Sequence, residues 1–323
     1  MLRHALVALL LPCAVRGFGA VRPTRAAASH VARCLASSIS ACGVGLGARL
    51  ATQLSSMRGA SSRNSQRLAA TDTSTMTADD LRLRALQLQR MIRHRGPDGS
   101  GVHITESAVP GRRHVVAHER LAINGGVGGN QPLFSHDGVA ALSINGEIYN
   151  HKELRAQLAD KREFATGSDC EVVVHGFREW GLDVASKLDG DFAFVIVDEK
   201  TGELYAARDQ IGVNCLYFGY GHDGSLWFAS EMKAIRVMVF PPGHYYSSKT
   251  RQLHRYYKPD WQDAANAKQP LDLAAAVSKR LMAEVPYGVL LSGGLDSSIV
   301  ASLVAKSYGA ELQKLKTSPS TQQ

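Results

Sequence analysis

A Gly/Ser loop directly behind a short apolar run constrains the fold of this chain more than any other feature. The apolar run is YGVLL at 287–291, and the loop is formed by Ser292, Gly293, Gly294, Leu295, Asp296, Ser297 and Ser298. A buried strand that breaks into such a loop before a helix directs backbone N–H groups and a helix dipole at an anion. Gly-Gly alone would suit an ordinary turn, but three hydroxyls and an Asp exceed what a turn needs. The pattern therefore predicts a phosphate site in an α/β domain, and it is not a Walker loop because no Gly-Lys-Ser/Thr closes it.

Eight further strings precede this loop along the chain. They are RHRGPD at 93–98, HERLAI at 118–123, NGEIYN at 145–150, TGSDC at 166–170, LDGDFAF at 188–194, ARD with IGV at 207–213, SEMK at 230–233 and PPGH at 241–244. In this order, and with VPYGV at 285–289 before the loop, they resemble the glutamine-hydrolysing asparagine synthetases. The resemblance covers about residues 85–305. Two other families, the glucosamine-6-phosphate synthases and the phosphoribosyl amidotransferases, share the glutaminase domain of the asparagine synthetases. They lack the Gly/Ser loop at 292–298, which binds pyrophosphate in the synthetases, so they resemble this chain less.

The resemblance implies an α+β domain followed by an α/β domain. Residues 42–258 would form a four-layer αββα glutaminase sandwich of the N-terminal-nucleophile (Ntn) hydrolase type. Residues 259–270 would be a polar linker, and residues 271–323 the first βα unit of an ATP-pyrophosphatase domain with a doubly wound sheet. Since family members continue well beyond this unit, we expect a truncated synthetase domain or a faulty gene model.

Local patterns predict the elements of both domains. Period and capping predict helices over 78–93, 151–158, 169–180 and 272–284. Short β-rich runs bounded by Gly and Asn predict strands over 113–117, 139–145, 192–198, 203–208, 216–219 and 225–230. In the second domain we predict a strand over 289–291, a helix over 298–308 and the start of another strand at 315–317.

The first 71 residues have the composition of a targeting leader. They contain nine Arg, nine Ser and no Lys, Asp or Glu, so the net charge of +8 arises there and gives no indication of nucleic-acid binding. The apolar run at 5–15 is too short to span a bilayer. Residues 1–41 are therefore predicted to be a disordered two-part presequence, with a plastid as the favoured destination. A disordered tail or a mistaken gene start, which would leave the protein in the cytoplasm, is the alternative.

The family's glutaminase nucleophile is a Cys at the mature N-terminus, where the free α-amino group serves as base. Cys42, followed by Gly43 and Val44, fits that pattern, and residues 39–41 resemble a processing site. Its distance from His94 is longer than in the family, however, so Cys42 has two interpretations: a processed nucleophile or one more leader cysteine. Internal Cys170 and Cys215 have no free α-amine and are not alternatives. No disulfide framework or metal-ligand spacing is present.

The resemblance assigns the remaining site residues. Asn145 and Gly146 would form the oxyanion hole, Arg120 would bind the carboxylate of glutamine, and Asp169 with Glu147 would bind its ammonium group. Leu121, Ala122 and Ile123 follow in the same substrate-binding string. Arg93, His94, Arg95 and Asp98 would order the loop over the pocket.

The implied activity is glutamine hydrolysis coupled to ATP-dependent adenylation and amidation of aspartate. Leu291 and the residues of the 292–298 loop would bind ATP, with Mg²⁺ bridging its phosphates. The expected partners are therefore small molecules, together with a second copy of the chain in a homodimer, and neither nucleic acid nor a membrane span is expected. A catalytically inactive glutamine-binding module is the alternative function, and a β-lactam-forming synthetase is a third.

Overall fold

The computed structural model describes residues 10–12, 76–106, 113–158, 164–220, 225–232, 238–259 and 272–317. The chain divides into two compact units, Asn64–Asp272 and a second that combines Met1–Arg63 with Leu273–Gln323. Cys42, the linker from residue 260 and most of the expected presequence lie outside the described residues. No helix among the described residues has both the length and the apolar character that crossing a membrane requires.

The described elements have the following bounds. The α-helices are α1 (Ala78–Met91), α2 (His151–Leu158), α3 (Glu171–Trp180), α4 (Val184–Lys187), α5 (Leu273–Lys279) and α6 (Leu295–Thr317). The strands are β1 (Leu10–Pro12), β2 (Gly99–Glu106), β3 (Arg113–Arg120), β4 (Leu133–Phe134), β5 (Ala140–Ile148), β6 (Gly190–Asp198), β7 (Glu203–Arg208), β8 (Tyr217–Tyr220), β9 (Leu226–Ala229), β10 (Met238–Val239), β11 (His244–Ser247), β12 (Gln252–Arg255) and β13 (Tyr287–Val289). Short 3₁₀ turns occur at Arg93–Arg95, Val127–Gly129 and Gly181–Asp183.

A six-stranded antiparallel sheet is the centre of the larger unit. Its strand order is β12-β11-β7-β6-β5-β4. The long strands β5 and β6 pair along their whole length, with Asn145 opposite Ala193 and Gly146 opposite Phe192. Most side chains of β6 are buried, because both faces of this sheet are covered.

The two faces of the sheet carry different layers. On one face, Val172, Val173 and Val174 of α3 pack with Ile144 and Phe194 of the sheet in the main core. On the other face, the β2–β3 hairpin packs through a small cluster of buried Val116, Ala141 and Val197. The strands β8, β9 and β10 form a further three-stranded sheet, and Phe218 and Phe240 bury it against β6, β7 and β11.

Helix α1 forms the outer layer over the β2–β3 hairpin. Thr77 and Asp80 form a capping box: the Asp80 N–H donates to the Thr77 hydroxyl (3.2 Å), and the Thr77 N–H donates to the Asp80 carboxylate (3.1 Å). The buried Gln89 donates its amide to the carbonyls of His118 (2.6 Å) and Gly101 (3.2 Å). The layers therefore run helix, sheet, strands, helix, as the αββα expectation requires.

The predicted elements of the larger unit are largely confirmed. The bounds of α2 and β7 are those predicted, and the other predicted strands and helices shift by up to three residues at their ends. The sequence patterns missed β2, β4, β10, β11, β12 and the short helix α4. Strand β2 contains Gly99 and Gly101, and a Cβ at Gly101 would overlap the carbonyl of Gln131, so close packing replaces the apolar alternation that marks a strand.

The smaller unit corrects several expectations. Its strand lies at 287–289 and not at 289–291, and helix α5 ends at Lys279 and not near residue 284. Residues 315–317, predicted as the start of another strand, belong to the end of α6. Among the described residues, β13 pairs with β1 in antiparallel orientation, where the doubly wound expectation calls for parallel neighbours. Its core contains the buried Val277, Val300 and Val304.

Candidate active site

The end of strand β5 presents Asn145, Gly146 and Glu147. Gly146 has φ +152°, and a Cβ at this position would overlap the carbonyl oxygen of Asp191 on the neighbouring strand. Only glycine therefore allows the two strands to approach so closely here. The Tyr149 hydroxyl donates to the carboxylate of the same Asp191 (2.5 Å), which fixes the strand end.

Asp169 lies beside this strand end. Its buried carboxylate accepts a hydrogen bond from the Ile148 N–H (2.8 Å), and the Cys170 thiol donates to the Gly146 carbonyl (3.4 Å). Burial raises the pKa of Asp169, although the Ile148 hydrogen bond and the charge of His151 oppose this. Burial and the Asp169 charge also raise the pKa of the Cys170 thiol well above its ordinary value, so the thiol stays protonated and unreactive.

Glu171 holds the segment that carries Asp169. Its buried carboxylate accepts hydrogen bonds from the Ala165 N–H (2.6 Å), the Thr166 N–H (2.8 Å) and the Thr166 hydroxyl (2.6 Å). The same carboxylate lies 3.3 Å from His175 and 3.8 Å from Arg155. The loop before α3 is therefore anchored to the first residue of that helix.

Arg120, the last residue of β3, is 7% exposed. Its Nη2 donates to the carbonyls of Asn124 (3.0 Å) and Gly126 (2.7 Å), and its Nη1 donates to the Asn130 side chain (3.1 Å). These bonds hold the following loop in a tight curve and leave donors on Nε and Nη1.

The curved loop also contacts the Asp169 segment. A Cβ at Gly125 would meet the Ser168 backbone, and Gly125 has φ +77°, so glycine is required twice over. Within the loop, the Ala122 N–H donates to the Asp98 carboxylate (2.9 Å), the Leu121 side chain is exposed, and Ile123 is half-buried. Arg120, Asn145, Gly146 and Asp169 thus belong to adjoining segments, and Glu147 follows Gly146 on β5.

The 93–98 segment is tied to other parts of the unit. The Arg93 guanidinium donates to Glu119 (2.9 Å), and His94 lies 2.9 Å from the carboxylate of Glu231. Arg95 lies 3.7 Å from the same carboxylate. These contacts attach the segment to Glu119 and Glu231.

Sequence reasoning missed Asn214, whose side-chain oxygen accepts a hydrogen bond from the Asn145 Nδ2 (2.9 Å). The Asn214 backbone is held at both ends: its N–H donates to Asp209 (3.0 Å), and its carbonyl accepts from the Arg208 Nε (2.6 Å). The ARD and IGV strings indicated a turn here, but no local pattern reveals a partner 69 residues away.

Hydroxyl groups of the Gly/Ser loop of the smaller unit form hydrogen bonds within the loop itself. Gly293 has φ +83°, and α6 begins at Leu295, within the 292–298 loop. The Ser297 and Ser298 hydroxyls both donate to the Gly294 carbonyl (3.0 and 2.9 Å), and Ser292 donates to Ser297 (3.0 Å). The Leu291 and Leu295 side chains are exposed. In the part of the chain that the structure describes, no cluster of His, Cys, Asp or Glu is arranged to hold a metal ion.

The family model for the glutamine amidotransferase domain matches residues 70–272, more than half of the chain. The chain belongs to the glutamine amidotransferase family. The amidotransferase match covers all the segments that meet around Arg120, Asn145 and Asp169. A second family model, asparagine synthase, matches residues 271–318, which include the Gly/Ser loop.

The names of curated relatives of this amidotransferase refer both to asparagine synthesis and to glutamine hydrolysis. Glutamine-hydrolyzing asparagine synthetase 3 of Arabidopsis thaliana is 49% identical over 237 residues, covering 70% of this chain and 40% of the relative. A probable glutamine-hydrolyzing asparagine synthetase of Dictyostelium discoideum is 47% identical over 250 residues, covering 71% of this chain and 43% of the relative. The chain therefore spans about two fifths of the length of these relatives.

Among solved structures, an allosteric regulatory enzyme of purine biosynthesis has a TM-score of 0.45 and 22% sequence identity to this amidotransferase. The match covers 54% of this chain and 47% of that one.

Proposed function

We propose that this chain is the glutaminase part, with the beginning of the synthetase part, of a glutamine-hydrolysing asparagine synthetase. The observation that carries the proposal is the convergence of Arg120, Asn145, Gly146 and Asp169 on adjoining, mutually bonded segments. The full reaction would hydrolyse glutamine to glutamate and ammonia and use the ammonia to amidate an aspartate that ATP has adenylated. The names of the curated relatives support this reaction.

The α-carboxylate and the α-ammonium group of glutamine would each find complementary groups in the candidate site. The carboxylate of the substrate would accept hydrogen bonds from the free Nε and Nη1 donors of Arg120, since Nη2 is bonded to its loop. Its ammonium group would pair with Asp169, assisted by Glu147. A cation beside Asp169 would favour the charged carboxylate against the effect of burial. The 121–123 segment would line the rest of the pocket.

Hydrolysis would proceed through a thioester. The thiol of Cys42, exposed at the mature N-terminus, would lose its proton to its own α-amine and attack the side-chain carbonyl of glutamine. Asn145 Nδ2 and the Gly146 N–H would stabilise the resulting oxyanion. Ammonia would leave as the C–N bond breaks, and water would then cleave the thioester to release glutamate.

The smaller unit would supply the nucleotide site of the synthetase part. The first N–H groups of α6 have no partner within the helix, and with the 293–294 backbone they fit an anion such as pyrophosphate. The residues involved would be those of the 292–298 loop, with Leu291 touching ATP. Mg²⁺ would be held by phosphate oxygens, in keeping with a donor set here of hydroxyls and the Asp296 carboxylate.

The broader proposals concern domain limits, location and assembly. We place the presequence at 1–41, the glutaminase domain at 42–258, the linker at 259–270 and the synthetase segment at 271–323. The leader composition supports organelle targeting, with a plastid favoured, and a homodimer through the glutaminase domain is proposed. The alternative, an inactive glutamine-binding module, would keep Arg120 and Asp169 but would lack a processed Cys42.

Native protein provides the test. Its mature N-terminus and C-terminal peptides would be read by mass spectrometry, and glutamate release from glutamine would be assayed on the same material. An N-terminal Cys42 with glutamate release is the expected result. A mature N-terminus near Thr71, with no glutamate release, would contradict the assignment of Cys42 as the nucleophile and favour the inactive binding module.

A further inference from the structure

The side-chain amide of Asn145 has a protein partner that fixes its orientation. Asn145 Nδ2 donates one hydrogen to the Asn214 side-chain oxygen (2.9 Å). Because a carboxamide is planar, holding one N–H also fixes the direction of the second N–H on the same nitrogen. We propose that Asn214 is a positioning residue that aims the Asn145 amide at the developing oxyanion. The inference rests on the proposed glutaminase function.

Asn214 is itself held in place by Arg208, the last residue of β7, and by Asp209, which follows it. The Asp209 carboxylate accepts hydrogen bonds from the backbone N–H groups of Gly212 (2.6 Å), Val213 (2.9 Å) and Asn214 (3.0 Å). Arg208 donates to the Gly212 carbonyl (2.8 Å) and to the Asn214 carbonyl (2.6 Å). The 209–214 loop is therefore fixed by two side chains: Asp209 accepts hydrogen bonds from its N–H groups, and Arg208 donates hydrogen bonds to its carbonyls.

The two clamping side chains are in turn anchored in the core. Arg208 Nη1 donates to the Phe240 carbonyl (2.8 Å), and the Gly243 N–H donates to the Asp209 carbonyl (2.9 Å). Both Arg208 and Asp209 are buried. Hydrogen-bond donors stabilise a developing oxyanion best when they are already oriented towards it before the reaction begins. The clamp supplies that rigidity to Asn145 through one hydrogen bond.

The first test separates positioning from substrate binding by steady-state kinetics of glutamine hydrolysis. Removing an oxyanion donor outright lowers kcat by about 10²–10³-fold, so losing only its orientation in Asn214→Ala should lower kcat by about tenfold. The KM for glutamine should change less than about twofold, because the hydrogen bonds of Asn214 join it to Asn145, Asp209 and Arg208 and not to the proposed substrate-binding residues. Ile211→Ala, in the same loop with an exposed side chain, is the matched control and should keep the wild-type kcat.

The second test needs no activity. In a ¹⁵N-labelled full chain, the Asn145 side-chain amide can be assigned by its disappearance in Asn145→Ala. In wild type the separation of its two proton shifts should exceed that of a free Asn side chain, since one proton is hydrogen-bonded. The separation should collapse to the value of a free Asn side chain in Asn214→Ala and stay large in Asn214→Asp, which keeps an acceptor oxygen at the same reach.

The outcomes distinguish this inference from the proposed function. A wild-type chain that begins at Cys42 and has no glutaminase activity would refute the function, and the amide spectrum would still decide whether Asn214 orients Asn145. An active wild type with an unchanged kcat in folded Asn214→Ala would overturn the positioning role. A KM increase with constant kcat would also overturn it, because it would place Asn214 in substrate binding. If Asn214→Ala fails to fold, an Asn145 amide in Asn214→Asp with collapsed proton separation would be the refuting result.

Discussion

Ionisable side chains that hold the candidate site are buried, and each depends on specific hydrogen bonds. Burial raises the pKa of Asp209, while the N–H groups of Asn214, Val213 and Gly212 oppose the shift. Glu171 has the same conflict with the opposite result: burial raises its pKa, but bonds from His175, Thr166 and Ala165 outweigh this and lower it. Removing one partner would leave the buried carboxylate with fewer hydrogen bonds and so reduce stability.

His118 should make the free energy of unfolding depend on pH. It lies on β3 with Nδ1 3.0 Å from the Ser143 hydroxyl, and burial followed by the charge of Arg120 lowers its pKa to about 4. Since an unfolded His has a pKa of about 6.5, folding favours the neutral ring. Stability is complete above about pH 6.5 and falls as the pH drops towards 4. We expect His118 to account for a loss of about 2 kcal/mol in the free energy of unfolding between pH 7 and pH 5.

Urea unfolding of the full chain at several pH values between 5 and 8 measures this effect. The substitution His118→Gln should flatten the pH dependence of the free energy of unfolding, whatever its effect at pH 8. The matched control is His136→Gln, at an exposed position of the same unit. Equal slopes for wild type and His118→Gln would contradict the assignment.

At the scale of elements, the loop before α3 depends on a side chain from the helix itself. Glu171 accepts three hydrogen bonds from Ala165 and Thr166. In Glu171→Gln one acceptor oxygen becomes an N–H group facing other N–H donors. An unsatisfied buried donor costs about 1–3 kcal/mol, so we expect a loss of about 2 kcal/mol in stability. The KM for glutamine should rise, because the displaced loop carries Asp169.

Two measurements check the Glu171 prediction: the free energy of unfolding from urea titration and the steady-state kinetics of glutamine hydrolysis. Glu153→Gln is the control, since Glu153 lies exposed on α2. A Glu171→Gln variant with wild-type stability and KM would show that the carboxylate does not organise this loop.

The sequence predicted the elements that have a clear local pattern and missed the features that depend on contacts between distant segments. The bounds of α2 and β7 follow from local period and turn residues, and the motif order gave the family and the αββα layers. Strand β2 was missed because glycines in close contact replace its apolar alternation. The site prediction included Asn145 and Asp169 but not Asn214 or Glu171, because their roles depend on contacts that only the folded sheet brings together. Residues 315–317 were misread as a strand because a short Leu-Lys-Thr run carries no helical period.

At the scale of the whole molecule, the two units have separate hydrophobic cores. The main core of the larger unit, between its six-stranded sheet and α2–α4, contains large buried side chains such as Phe192, Phe194 and Tyr205. Among the described residues of the smaller unit, the buried apolar side chains are Val277, Val300 and Val304. A core of this size is small for a unit that must fold alone, because little apolar area is removed from water per ordered residue.

We therefore expect the fragment 64–272 to unfold in a single cooperative urea transition, with a free energy within about 1 kcal/mol of the main transition of the full chain. The fragment 273–323 should show no cooperative transition by circular dichroism, because one βα unit cannot bury both faces of its strand. A mixture of the two fragments at equal concentration controls for association between them. Cooperative unfolding of 273–323 alone would contradict the prediction, since it would show that three buried valines and their half-buried neighbours suffice for an independent domain. A fragment 64–272 several kcal/mol less stable than the full chain would instead show that residues outside it stabilise the glutaminase fold.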